Sequence, residues 1–155
     1  MPEQATDPLR AMLVRAVARE AAAHRDVVRL VRAMLTGGTP EHEVQHVVRR
    51  WHERFAELRD DPSVGPVPGG FSDDTAYRIA QRYAAGLIPR GQMLEELGRW
   101  EYAPPGELPE HEGDDLYLEN PGSFDDQVGR ALDADLIDDA DYEAVLATYR
   151  GRFPS

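Results

Sequence analysis

Between Leu9 and Thr36 the chain runs for 28 residues without a proline or glycine. Within that stretch Leu9, Met12, Leu13, Ala16, Ala23, Val27, Leu30, Val31 and Met34 recur at three- and four-residue intervals. That is the period at which side chains stack along one face of an α-helix, so one long helix over about 9–35 is the simplest fold for it. Glu20 falls on the same stripe. It marks a local break, a carboxylate that meets an arginine across the core, or a partly exposed acid at a thin point. Gly37 and Gly38 stop the helix, Thr39 is placed to cap the next one, and Pro40 suits its first turn. A second apolar stripe, Val44, Val47, Val48, Trp51, Phe55 and Leu58, carries a helix to about Arg59. Residues 1–60 are therefore expected to form an Arg-rich antiparallel helical hairpin.

The next boundary lies at 61–70, where Pro and Gly are dense and no periodicity survives, as in a linker or ordered loop. Residues 71–155 form an acidic helical region. Ser72 reads as an N-cap with Asp73 and Asp74 in the first turn of a helix that runs through Tyr77, Ile79, Ala80 and Tyr83 to Gly86. After Leu87-Ile88-Pro89 a helix follows to about Trp100, and 101–122 is rich in Pro, Gly and acids, an irregular segment expected to wrap back over the core. Ser123 caps a further helix ending near Asp135, and after Leu136-Ile137 the last helix carries Tyr142, Val145, Leu146 and Tyr149. A shift of 49 residues aligns Ile79 with Val128, Tyr83 with Leu132, Gly86 with Asp135, Leu87-Ile88 with Leu136-Ile137, Met93 with Tyr142 and Leu97 with Leu146. Such self-similarity predicts two related hairpins, each too small to hide its apolar face alone. The fold class read from these patterns is all-α.

Arg-Tyr-Ala-Ala-Gly-Leu-Ile-Pro-Arg-Gly-Gln-Met-Leu-Glu-Glu-Leu at 82–97 resembles the short SHOCT-like helical hairpins, with a helix, a Gly-Leu-Ile corner and a second helix. Residues 131–146 are similar, with Asp135 in place of the corner Gly. The span from Tyr83 to Leu146, with Arg99-Trp100-Glu101-Tyr102, Pro104-Pro105-Gly106 and Leu136-Ile137-Asp138-Asp139, also resembles uncharacterised small actinobacterial proteins. The resemblance covers about half of the chain and rests on structural motifs, so it implies an interaction module and no chemistry.

Composition narrows the function classes. Cysteine is absent, which excludes disulfides, Cys-zinc sites and thiol nucleophiles. No apolar run approaches the roughly 20 residues of a membrane span, and the polar start followed by Arg10, Arg15 and Arg19 does not read as a signal peptide. A cytoplasmic location is expected. All 17 basic residues are Arg, consistent with a GC-rich genome. Residues 1–60 are nearly balanced in charge, with ten Arg against nine acids, whereas the rest holds seven Arg against twenty, so the net charge of −12 resides there. That field disfavours nucleic acid and membranes and steers a basic protein partner. Arg15, Arg19, Arg25, Arg29 and Arg32 are expected on a solvated face or one that meets the acidic half.

His42-Glu43-Val44-Gln45-His46 matches the H-E-x-x-H pattern of zinc hydrolases, in which two imidazoles one helical turn apart hold the metal and the Glu activates water. On a straight helix His52 lies about 15 Å beyond His42, too far to share a metal. The pair also projects opposite the Val44, Val48 and Phe55 stripe, so exposed histidines are the simpler reading, with zinc the alternative cofactor. No serine elbow or phosphate loop is present. Asp133, Asp135, Asp138, Asp139 and Asp141 lack the Gly and Glu of a calcium loop and read as helix-start charges. Trp100, Tyr102 and Tyr117 beside Asp114 and Asp115 are the candidate anchors for a basic partner, the simpler alternative being that the aromatics cover the hairpins as core. The expected function is an acidic interaction module, such as an immunity or antitoxin-like inhibitor of a toxin or nuclease. The alternatives are an adaptor or oligomerisation module and a zinc-dependent hydrolase.

Overall fold

The computed structural model describes residues 7–48, 55–104 and 122–152. These are α-helical, with no strand beyond a single isolated bridge between Ala103 and Ser123. The helices are α1 (Pro8–Thr36), α2 (Glu41–Val47), α3 (Phe55–Arg59), α4 (Ala76–Ala84), α5 (Arg90–Arg99), α6 (Arg130–Asp133) and α7 (Asp139–Arg152). A π-helical turn over Asp125–Gly129 leads into α6. No helix among the described residues is long and apolar enough to cross a membrane.

The long first helix has the predicted extent. Asp7 caps it by accepting from Leu9 N–H, and it closes through Gly38, at φ 94°. There Gly38 N–H donates to the Leu35 carbonyl and Thr39 N–H to that of Met34. This double bond around a left-handed residue satisfies carbonyls that the helix end would otherwise orphan. Thr39 is thus used to finish α1, and Pro40 stands at the N-cap of α2 with no side-chain cap. The expected continuous second helix leaves helical geometry at Val48 (φ −94°, ψ 33°). Val44 and Val48 are buried as expected, while Val47 is exposed.

The inner face of α1 differs from the expected stripe. Buried are Ala18, Ala22, Arg25, Val28 and Val31, whereas Leu9, Met12, Leu13, Ala16, Ala23, Leu30 and Met34 are exposed. Of the buried residues Val31 alone belonged to the expected stripe, and Ala18, Ala22 and Arg25 are small or charged. Ala18 and Ala22 let α4, the principal neighbour of α1, approach closely, and Arg25 finds a buried counter-charge there.

Two apolar clusters fill the interior. The larger joins Ala18 to Ile79, Ala80, Met93, Leu97, Phe124, Val128, Ala131, Leu136, Ile137 and Val145. The smaller packs Val28 and Val31 against Val44, Val48, Phe55, Leu58 and Val64. Gly98 provides the close approach of α5 to α7, since a Cβ there would lie 2.8 Å from Thr148 Cγ2.

The 49-residue offset reappears in the backbone. Around the first corner Ala85, Gly86 and Leu87 donate to the carbonyls of Gln81, Tyr83 and Arg82. Around the second, Ala134, Asp135 and Leu136 donate to those of Arg130, Leu132 and Ala131. Gly86 has φ 79°, and Asp135, at φ 62°, is the one non-glycine among the described residues with positive φ. An aspartate tolerates this region better than most L-residues, which is how it stands in for the corner glycine. Met93 and Tyr142, at the same offset, each open the helix that follows by donating to the carbonyls of Pro89 and Asp138.

The 61–70 stretch is bracketed by arginines. Arg32 donates to the carbonyls of Arg59 (2.8 Å), Asp61 (2.6 Å) and Val64 (2.5 Å). Arg29 reaches Gly65 O and Arg78 reaches Ser63 O. Val64 is buried beneath them. Arg32→Ala removes three charge-assisted bonds at once, each worth roughly 1.5–3 kcal/mol. Limited proteolysis of that variant is expected to open first between Asp60 and Gly70, and an unchanged cleavage map would show that the arginine does not hold the loop.

Candidate functional site

The strongest electrostatic feature is internal. Asp73 was expected in the first turn of a helix capped by Ser72, but the cap is Thr75, whose side chain accepts from Arg78 N–H. Asp73 instead precedes the helix and is fully buried. It accepts from Arg25 (2.8 Å), Arg29 (2.9 Å) and Arg82 (2.8 Å), and from the Asp74 backbone N–H. Arg82 also pairs with Asp26, Arg29 and Arg78 with Asp74, and Arg25 donates to Gln81. Burial alone would raise the Asp73 carboxyl, but the hydrogen bonds and charges of its arginines outweigh it and hold the group well below the usual carboxylate range. Ser72 is drawn elsewhere: its N–H and hydroxyl both donate to the buried Glu96 carboxylate.

Arginines of α1 do meet acids of the second half. Arg25 and Arg29 reach Asp73, and Arg10 pairs with Asp135 at the second corner across 2.5 Å. The acids that open α7 act as helix starts. Asp138 and Asp141 accept from each other's backbone N–H, and Arg90 binds Asp141. Ser123 caps the turn into the π-helical segment, as expected, by accepting from Asp126 N–H.

The candidate anchors are placed inward. Tyr102 donates to Leu97 O (2.6 Å) and packs edge-on against Phe124 and Tyr149. Its phenol is pushed well above the ordinary value by burial. Trp100 packs edge-on against Phe71 at 4.8 Å, and Arg99 covers the other ring. Both aromatics are half-buried and pack against the larger apolar cluster. Asp114, Asp115 and Tyr117 lie outside the described residues.

His42, Glu43 and His46 are exposed on α2, away from buried Val44 and Val48. Zinc hydrolysis needs a third ligand beside the pair. Among the described residues no group of three His, Cys, Asp or Glu side chains is brought together, and His52 lies outside them.

What the site reasoning missed is the outer face of α1. Leu9, Met12, Leu13, Val17 and Leu30 are each between 56% and 73% exposed, and Met34 is 37% exposed. Most of the stripe visible in the sequence faces out rather than in, while its Val31 is buried and its Val27 half-buried. Beside it lies an open cleft lined by Val17, Glu20, His24, Tyr77, Arg78 and Arg130. In it Arg130 stacks on the Tyr77 ring at 4.2 Å and His24 meets Asp61 at 3.0 Å. No protein-family model, curated protein or solved structure matches the chain.

Proposed function

We propose that this protein is a protein–protein interaction module of the adaptor or oligomerisation kind, with the outer face of α1 as its contact surface. The observation that carries this reading is the run of exposed large apolar side chains from Leu9 to Met34. A helix face that apolar marks an interaction site more often than a bare surface. Behind it, the arrangement we infer is a scaffold of two related helical hairpins meeting at the Gly86 and Asp135 corners, with α1 laid across both through Arg19 to Ala85 O and Arg10 to Asp135. SHOCT-like character in 82–97 fits a module of this type.

A second reading is favoured by the exposed acids Asp125, Asp133, Asp138, Asp139 and Glu143 in the stretch from the π-helical turn through the last helix. They suit a basic protein partner, as an immunity or antitoxin-like inhibitor would need. Salt separates the two readings. Apolar contacts through α1 persist near 1 M salt, where exposed charges are screened beyond about 3 Å, and acid-to-base docking is lost there. Cross-linking in cells tests the leading reading directly. Leu13→Asp and Leu30→Asp, both at exposed positions, are expected to abolish the cross-linked species of the wild type, and an unchanged pattern would overturn α1 as the contact surface.

A further inference from the structure

Resting on the interaction-module reading, we infer that the occupant of the α1 face is a second copy of this chain, its α1 packed antiparallel about a two-fold axis between Ala21 and Ala22. Four observations lead there. Exposed Leu9, Leu13, Ala16, Glu20, Ala23, Leu30 and Met34, together with Val27, which packs in part against the smaller apolar cluster, are spaced four, three, four, three along the helix without a break. That is the heptad seam by which helices pair, 3.5 residues per repeat. Of these, only Val27 is half-buried within the chain.

The seam is also self-complementary when reversed. Antiparallel pairing about that axis sets Leu9 against Met34, Leu13 against Leu30, Ala16 against Val27, and Glu20 against Ala23. Each large residue at one end meets a large one, and the small alanines fall at the centre, where two helices approach most closely. Opposite Ala23, Glu20 has room to turn its carboxylate to solvent.

Charge follows the same register. Arg19 and Asp26 share one flank of the seam, and the two-fold brings Arg19 of one helix beside Asp26 of the other, twice. The Asp26 carboxylate is half-exposed despite its bond to Arg82, so it has oxygen surface left to offer.

Size is sufficient. At 1.5 Å per residue the seam is about 38 Å long. Along that length Leu9, Leu13 and Leu30 are each 64–73% exposed, so large apolar side chains stand at both ends of the seam for a partner helix to cover.

The chain has no cysteine, so introduced thiols report on contact without background. Leu13→Cys and Leu30→Cys chains are mixed, equilibrated and oxidised, with mass measured by light scattering in parallel. The expected result is a wild-type mass near twice that of the chain, a disulfide between Leu13→Cys and Leu30→Cys chains, and little between two Leu13→Cys chains. In this register those two thiols lie about 25 Å apart. Glu20→Leu, which fills the one polar seam position, is expected to lower the dissociation constant at least tenfold, and Leu13→Asp to give a monomer with unchanged helical circular dichroism. Preferential Leu13-to-Leu13 cross-linking overturns the antiparallel register. A monomeric wild type at every concentration overturns the second copy as occupant. The broader interaction-module reading then stands or falls on the cellular cross-links alone.

Discussion

Asp73→Asn is expected to cost about 3–5 kcal/mol, the penalty for breaking a buried ion pair and leaving its partner uncompensated. Three arginines converge on that one carboxylate, and Arg25 and Arg82 have little solvent to turn to. Asp74 and Asp26 keep part of the cationic charge balanced but neither replaces the contacts Arg25 makes. The double change Asp73→Leu with Arg25→Met removes charge and counter-charge together, and is expected to be less destabilised than the sum of the single changes. Chemical denaturation of the four proteins measures it. Strict additivity would mean that the two residues do not act as a pair.

Acid exposes the same interaction. Asp73 has its pKa depressed in the folded chain, so its stabilising contribution is complete above the unfolded value of about 3.9. It is lost as pH falls below that value toward the folded one. Asp61, lowered to about 2 by the Ser63 hydroxyl and by His24, titrates in the same direction. The midpoint of thermal unfolding is therefore expected to fall steeply below about pH 4, and Asp73→Asn to flatten that dependence. A wild type whose stability is level from pH 4 to pH 2 would contradict the depressed carboxylates.

The second large effect is expected at Ile79. It is fully buried on α4 in the larger apolar cluster, among residues of α1, α5, the π-helical turn and α7. Ile79→Ala should destabilise by about 2–5 kcal/mol through lost transfer energy and an unfilled cavity. In a chain of this length that lowers the melting temperature by roughly 5–20 °C. Leu13→Ala, equal in the number of carbons removed but on the exposed face, should leave dilute protein within about 0.5 kcal/mol of wild type. Equal losses at both positions would mean that the outer face of α1 is packed within the chain.

The contrast between those two residues also marks what the sequence could and could not show. The extent of α1 was legible because it depends on local chemistry. The proline- and glycine-free run from Leu9 fixed the length of α1, and Gly37-Gly38 announced its end. The corner at Leu87-Ile88 was legible for the same reason, and the 49-residue offset carried it onto Leu136-Ile137 even though an aspartate occupies the left-handed position. The face of α1 was not legible. Leucine and methionine outrank alanine and arginine on any scale of hydrophobicity, yet Ala18, Ala22 and Arg25 went inside because α4 brings Asp73 to them from about fifty residues away. Charge burial of this kind is decided by tertiary pairing and leaves no periodic trace. Similarly, Ser72 had the residue type of a cap, but Glu96, 24 residues on, claims both of its donors. The aromatics Trp100 and Tyr102 were visible as a cluster, though their direction depended on Phe71, Phe124 and Tyr149, which come to them only in the folded chain.

The most direct test of the account is the reactivity of single thiols on the two faces of α1. Leu13→Cys, Leu30→Cys and Val28→Cys are made one at a time in the cysteine-free chain and labelled in dilute native protein with a small maleimide. The account predicts that Leu13→Cys and Leu30→Cys react at close to the rate of an unstructured thiol while Val28→Cys is protected until the protein unfolds. Protection of Leu13→Cys as strong as that of Val28→Cys at dilution would contradict it, because the apolar face of α1 would then already be covered within a single chain.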